Sequence, residues 1–269
     1  MANIPYPYPS YSWDYQGFDY AGMYGIDANL AQDMYNDGVR FVGRYLYQDQ
    51  YPYGKGISPT EVQIYLNAGI SIYLYYEVLT SDALGGYTRG VTLGQQALTQ
   101  ATALGVPLGT PIICCCDTGV TDAQASGVVM QFLQGFASQL PDYRVGIYGG
   151  LNVMEACYNL SPNYWRVQAG AWGAQEFDTL DVRQWLWGSN RRAVNDGYCR
   201  ISNITINSDG SASWRGHSVD LISAPTLDNM WGPGSTPTPP PPTPPPPPPV
   251  PPVLGGSEMP LWFYLKLPL

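Results

Sequence analysis

The sequence predicts an α/β fold, a (β/α)₈ TIM-like barrel, and three observations carry that prediction. Eight short apolar runs alternate with helical patterns between residues 17 and 225, the arrangement that builds a parallel sheet under helices. The run Pro111-Ile112-Ile113-Cys114-Cys115-Cys116 is apolar throughout and stops at Asp117, as a strand buried on both faces does. Other runs also meet a carboxylate, and the C-terminal ends of barrel strands face the active-site mouth. Eight units point to closure; a doubly wound open sheet is the alternative.

Strands are expected at Gly17–Asp19, Arg40–Leu46, Ile70–Val78, Ile112–Asp117, Val145–Tyr148, Arg166–Ala171, Val182–Trp187 and Ser218–Ile222. Helices are expected between the early ones. Ala28–Asn36 follows the first strand. Pro59–Asn67 follows the second, with Ser58 as N-cap, Pro59 at the first position and Glu61 to close a capping box. Val91–Leu104 follows the third. Asp122–Gln139 follows the fourth, with Thr121 and Gln124 forming a second capping box, and Met154–Tyr158 follows the fifth. The polar segment Gly188–Gly216 holds an Asn207-Ser208-Asp209-Gly210 turn between Ile204–Ile206 and Ser211–Trp214. It reads as a β-hairpin inserted after the seventh strand, expected to overhang the mouth.

The barrel accounts for residues 17–232. Before it lies a Pro/Tyr arm, residues 1–16. After it, 14 of the 26 prolines fall between Pro233 and Pro252, so residues 233–256 read as a linker. Polyproline II at about 3.1 Å per residue makes Pro233–Pro252 a semi-rigid spacer of roughly 60 Å. Residues 257–269 follow. There Leu261, Phe263, Leu265 and Leu267 alternate with Trp262, Tyr264 and Lys266, a docking strand with one apolar face.

Composition narrows the function. A net charge of −9 argues against nucleic acid. Only 12% of residues are charged, against the usual quarter, so the surface is polar through neutral side chains. That suits a protein that handles neutral polymers such as glycans. Five cysteines include three in a row, with Cys114 and Cys116 on one strand face and Cys115 on the other. They read as small buried hydrophobes. One histidine and no paired cysteines leave no metal ligand set, and no cofactor is expected. A Ser-His-Asp arrangement is a poor fit to that single His217. H-E-x-x-H, G-x-x-x-x-G-K-[ST] and G-x-G-x-x-G are not found. No run is long enough for a membrane span. The start, Met1 to Trp13, is unlike a signal peptide, lacking a basic start and an apolar core, so synthesis in a cytoplasm is expected.

The candidate catalytic residues are Asp117, Asp19 and Asp220, three carboxylates from three strands that can converge on one mouth. Glycoside hydrolysis needs a protonated carboxyl at the leaving oxygen and a second group to trap the cationic centre. Glu77, after Tyr75-Tyr76, joins them as a substrate-binding candidate. Tyr148, Trp172, Trp185 and Trp214 fall at or past strand ends, where sugar rings can stack; core packing claims most such aromatics. Arg44 ends the second strand and is expected to pair with Asp19 inside the barrel or to hold an anionic substrate group.

Gly17-Phe18-Asp19, Val39 through Leu46, Gly109 through Asp117, Val145-Gly146-Ile147-Tyr148-Gly149 and Val219-Asp220-Leu221 resemble, in order and spacing, the glycoside-hydrolase-like barrel domains of actinobacteria and their phages. Those domains are distant relatives of the family-25 muramidases. The muramidases end their fourth strand in an Asp-x-Glu pair; here Asp117 takes the Glu position and Cys115 the Asp position. The resemblance implies a barrel that engages cell-wall glycan, with Asp117 as acid and Asp19 or Asp220 as partner. It leaves open whether catalysis is retained; a substrate-assisted route through an N-acetyl group needs fewer protein carboxylates.

The spacer and apolar peptide lead to the expectation of a tail-associated phage virion protein that binds and can cleave host wall glycan. Its other partners would be virion tail proteins docked through residues 257–269, and a homo-oligomer in the virion is allowed. The alternatives are a catalytically inactive glycan-binding or structural minor tail protein, and an endolysin.

Overall fold

The structure, a computed structural model, describes residues 4–5, 15–21, 26–46, 55–170, 175–185 and 199–233. Trp172, residues 234–256 of the linker, the 257–269 peptide and most of the N-terminal arm lie outside the described residues.

Seven strands run parallel in chain order: β1 (Tyr15–Asp19), β2 (Phe41–Tyr45), β3 (Ser71–Tyr76), β4 (Pro111–Cys115), β5 (Arg144–Gly149), β6 (Trp165–Gln168) and β7 (Val182–Gln184). A hairpin of β8 (Ile204–Ile206) and β9 (Ala212–Trp214) follows. The last strand, β10 (His217–Ala224), closes the barrel by pairing with β1 on one side and β7 on the other. Both pairings are antiparallel, which corrects the expectation of an all-parallel sheet. The hairpin supplies the reason. β9 turns back through Arg215-Gly216 directly into β10, without the crossover that a parallel entry requires.

The helices form where capping chemistry calls for them. α1 (Ala28–Asn36) begins at Asp27, which accepts from the Leu30 amide at 2.8 Å. α2 (Pro59–Ala68) begins at Ser58 and ends at Gly69 with φ of 85°, the left-handed stop that glycine adopts without steric cost. α3 (Gly86–Leu104) packs on α5 (Met130–Ala137) through glycines. A Cβ on Gly90 would lie 2.1 Å from the Phe132 carbonyl oxygen, and one on Gly135 would lie 2.2 Å from that of Tyr87. α4 (Asp122–Gln124) carries the Thr121/Gln124 capping box and widens into a π-helical stretch, Ala125–Val129, before α5. α6 (Leu151–Leu160) follows β5.

Alternation along the strands sorts side chains into two cores. Phe18, Val42, Leu74, Ile112, Cys114, Cys116 and Ile147 face outward, toward the helices. Phe41, Tyr73, Tyr75, Ile113, Cys115, Trp165, Val167, Val182 and Ile222 fill the barrel. Met230 completes this inner layer, and Trp231 pairs with Ile72 through two 2.8 Å backbone hydrogen bonds near the start of β3. The N-terminal end of the barrel is therefore plugged, and polar inward groups are left at the other end.

Candidate active site

A cavity of about 240 Å³ opens at the C-terminal ends of the parallel strands. Asp19, Tyr45, Tyr75, Glu77, Cys115, Asp117, Tyr148, Gln184 and Asp220 line it, with Gly170. It thus brings together the three candidate catalytic aspartates, Glu77 and Tyr148. Parity explains the set. Asp19 pairs with Gly43 and Tyr45 with Tyr75, so the inward residues of β1 to β3 come into line one above another. Gly43 makes the room: a Cβ there would lie 2.6 Å from the Tyr73 hydroxyl.

The four carboxyl groups form two hydrogen-bonded pairs. Asp19 and Asp220 are opposite one another in the β1–β10 register and bond side chain to side chain. Tyr75 donates to Asp19 Oδ2 at 3.0 Å, and the Gln184 amide lies 3.4 Å from both oxygens. Burial, followed by the Asp220 charge, holds the Asp19 carboxyl well above its ordinary range. The second pair is Asp117 with Glu77, also joined side chain to side chain. Burial and then the Glu77 charge push Asp117 up to about 6. Two carboxyls in such contact cannot easily both ionise.

Among the described residues, one cation reaches this second pair. Lys55, from the loop after β2, forms an ion pair with Glu77 and sits 4.0 Å from the centre of the Tyr45 ring. On the far wall Tyr148 donates to Gln184 Oε1 at 2.8 Å, and the Gly170 amide donates to the same oxygen at 3.0 Å. That fixes Gln184 so that its NH₂ faces Asp19. Cys115, at the end of β4 and two residues before Asp117, also lines the cavity, and burial pushes its thiol well up, keeping it neutral.

Three candidates lie elsewhere. Arg44 points outward from β2, 1% exposed. Its Nε donates to Glu61 Oε1 at 2.7 Å and its Nη1 to the Tyr20 carbonyl at 2.6 Å. It pairs with α2, not with Asp19, because its neighbours Gly43 and Tyr45 hold the inward parity. Trp185 follows inward Gln184 and so turns out of the barrel, donating to Ser223 Oγ at 2.9 Å. Trp214 is fully buried on the outer wall. It packs on Phe18 with ring centres 5.9 Å apart and donates to Asp37, beyond α1, at 3.0 Å. The hairpin braces α1, and its described residues do not line the cavity. Lys55, Tyr45, Tyr75 and Gln184 were not singled out by the sequence analysis. The parity of β2, β3 and β7 points to the last three; nothing in the sequence points to Lys55.

Residues 32–220 match the sequence profile of the Rv2525c-like, glycoside hydrolase-like domain. The chain belongs to that family. The match spans Glu77, Asp117 and Asp220 and begins after Asp19. The Bacillus subtilis (strain 168) protein YbfG is 26% identical over 149 residues, covering 48% of this chain and only 19% of YbfG. Among solved structures, the Tat-secreted protein Rv2525c of Mycobacterium tuberculosis, in complex with HEPES, superimposes with a TM-score of 0.59 at 19% identity. The alignment covers 81% of this chain and 98% of that one. A Bacillus stearothermophilus protein superimposes with a TM-score of 0.53 at 14% identity, over 81% of this chain and all of that one. At these identities the likeness establishes the glycoside hydrolase-like barrel, while the chemistry rests on the cavity itself.

Proposed function

We propose that this glycoside hydrolase-like domain binds and cleaves a cell-wall glycan. The observation that carries this reading is the pair of carboxyl couples on opposite walls of one cavity. Glu77 and Asp117 follow β3 and β4, while Asp19 and Asp220 belong to β1 and β10, three strand positions round the barrel. A glycosidase needs a proton donor and a second carboxylate flanking the scissile bond. Asp117, protonated at mildly acidic pH, gives its proton to the leaving oxygen as the glycosidic C–O bond breaks. Water bonds to the anomeric carbon, and its proton passes to the carboxylate left in the Asp19–Asp220 couple. Tyr45 and Tyr148 offer the sugar aromatic surface at the rim.

Isolated wall fractions test this directly. The full chain should release new reducing ends from peptidoglycan or arabinogalactan. Binding to a fraction without release from any would sink the hydrolase and leave a glycan-binding module. Cys115 favours that second reading, since a neutral thiol stands where the muramidases carry an aspartate.

We further infer that the chain works on a phage tail particle. The polyproline spacer and the alternating apolar residues of 257–269 support this reading, because such a peptide needs another chain to cover its apolar face.

A further inference from the structure

We propose that a second depression, over the β4–α4 and β5–α6 loops, continues the carboxylate cavity and holds further residues of the same glycan chain. This rests on the glycan reading above and adds to it that the ligand is a neutral polysaccharide engaged over several sugars.

Size is the first argument. The carboxylate cavity, at about 240 Å³, falls below the roughly 300–1,000 Å³ of pockets that bury a drug-sized ligand. It has room for little more than one sugar, so a polymer seated there must run out over the rim. The depression, at about 580 Å³, is more than twice as large and adjoins it. Asp117 lines the first and Thr118 the second, and consecutive Cα atoms are only about 3.8 Å apart. Both loops leave the C-terminal ends of β4 and β5, which pair in register at Cys115 and Tyr148. The depression is thus on the mouth side.

Its chemistry is the second argument. Thr118, Thr121, Gln124 and Asn152 offer hydroxyl and amide groups, with Asp122 and Glu155 among them and no aromatic among the described lining residues. Such a surface reads sugar hydroxyls by hydrogen bonds rather than by stacking. Its two carboxylates, on a chain of net charge −9, repel polyanionic wall polymers. The surface is also held in place before any ligand arrives. Asn152 donates to the Val120 carbonyl at 2.7 Å, and the Thr121–Gln124 capping box fixes the first turn of α4. A site held rigid in advance loses less on binding.

The experiment is a length series on the full chain, by calorimetry, with β-1,4-linked N-acetylglucosamine oligomers and with arabinan oligomers. In the series that binds, the hexamer should bind at least about tenfold tighter than the dimer, the gain expected from one or two added hydrogen bonds. Glu155→Trp, which fills the depression, should remove that gain and leave dimer affinity within about twofold of wild type. Retained dimer binding also reports that the variant is folded. Equal affinity for dimer and hexamer in the wild type overturns the second site and leaves the glycan reading standing. So does a length gain that survives in both Glu155→Trp and Gly119→Trp. Failure of every oligomer in both series overturns the two together.

Discussion

Asp220 and Asp19 are cross-strand partners, set side by side because β10 runs antiparallel to β1. In a parallel entry the N-terminal half of that last strand would lie toward the plugged end. Running the other way, it brings Asp220 to the mouth. The couple it makes with Asp19 leaves two acids sharing one buried place, with consequences for stability and activity.

Stability should fall as pH rises through the acid range. Asp117 ionises near 6 in the folded barrel and Asp19 is also raised, against an ordinary value of 3.8. Between these values the native state keeps protons that the unfolded chain releases, so ΔG of unfolding declines from about pH 4 through 6. Asp117 alone should contribute about 1–2 kcal/mol of that decline, allowing for solvent screening. Thermal melts at pH 5 and pH 8 measure it, and Asp117→Asn should shrink the difference. An unchanged difference in the variant would contradict this assignment.

Glycan cleavage should follow the protonation of Asp117. The rate should drop about tenfold per unit above about pH 6, and fall again at lower pH once the Asp19–Asp220 couple takes up its second proton. Asp117→Asn should lower kcat by 10²–10⁴, roughly the share of a general acid, with little change in KM. A pH profile insensitive to this substitution would move the acid to the Asp19–Asp220 couple.

Lys55→Met should destabilise the barrel by about 2 kcal/mol, since it strips the cation from a buried Glu77 carboxylate. Lys55→Arg should restore most of the loss. Urea unfolding at pH 7 gives both numbers. A neutral effect of Lys55→Met would mean that the ion pair is offset by its own desolvation.

Trp214→Ala should cost about 3–5 kcal/mol, as the loss of a fully buried ring does. Glycan affinity should stay within about twofold of wild type, because the ring packs on Phe18 outside the barrel. A selective loss of binding in a stable variant would bring the hairpin back to the mouth.

The phage-tail reading proposed above predicts that deletion of residues 257–269 releases the protein from assembled particles while its melting temperature stays unchanged. Retention of the shortened chain on particles would reject docking through that peptide and turn attention to the Tyr/Pro-rich residues 1–16.

The eight barrel strands, the five main helical segments and the hairpin turn are legible in the residues alone, because each depends on short-range physics. Apolar runs of strand length, Ser58 and Thr121 as caps, and the Asn207–Gly210 turn act over a few residues. The cysteine run's faces follow too, since alternation is fixed once a strand is, and so do the places of Asp19, Glu77 and Asp117 at strand ends and of Asp220 within the last strand. The same alternation, carried through β2 and β7, would have turned Arg44 and Trp185 outward and brought Tyr45 and Gln184 in. The rest came from the closed barrel. The direction of β10 depends on how a hairpin enters a closing barrel. Trp214 found Asp37 across 177 residues of chain and Phe18 across still more, and Lys55 found Glu77 from the neighbouring loop. Those partners are set by where the barrel closes, and no local pattern encodes that.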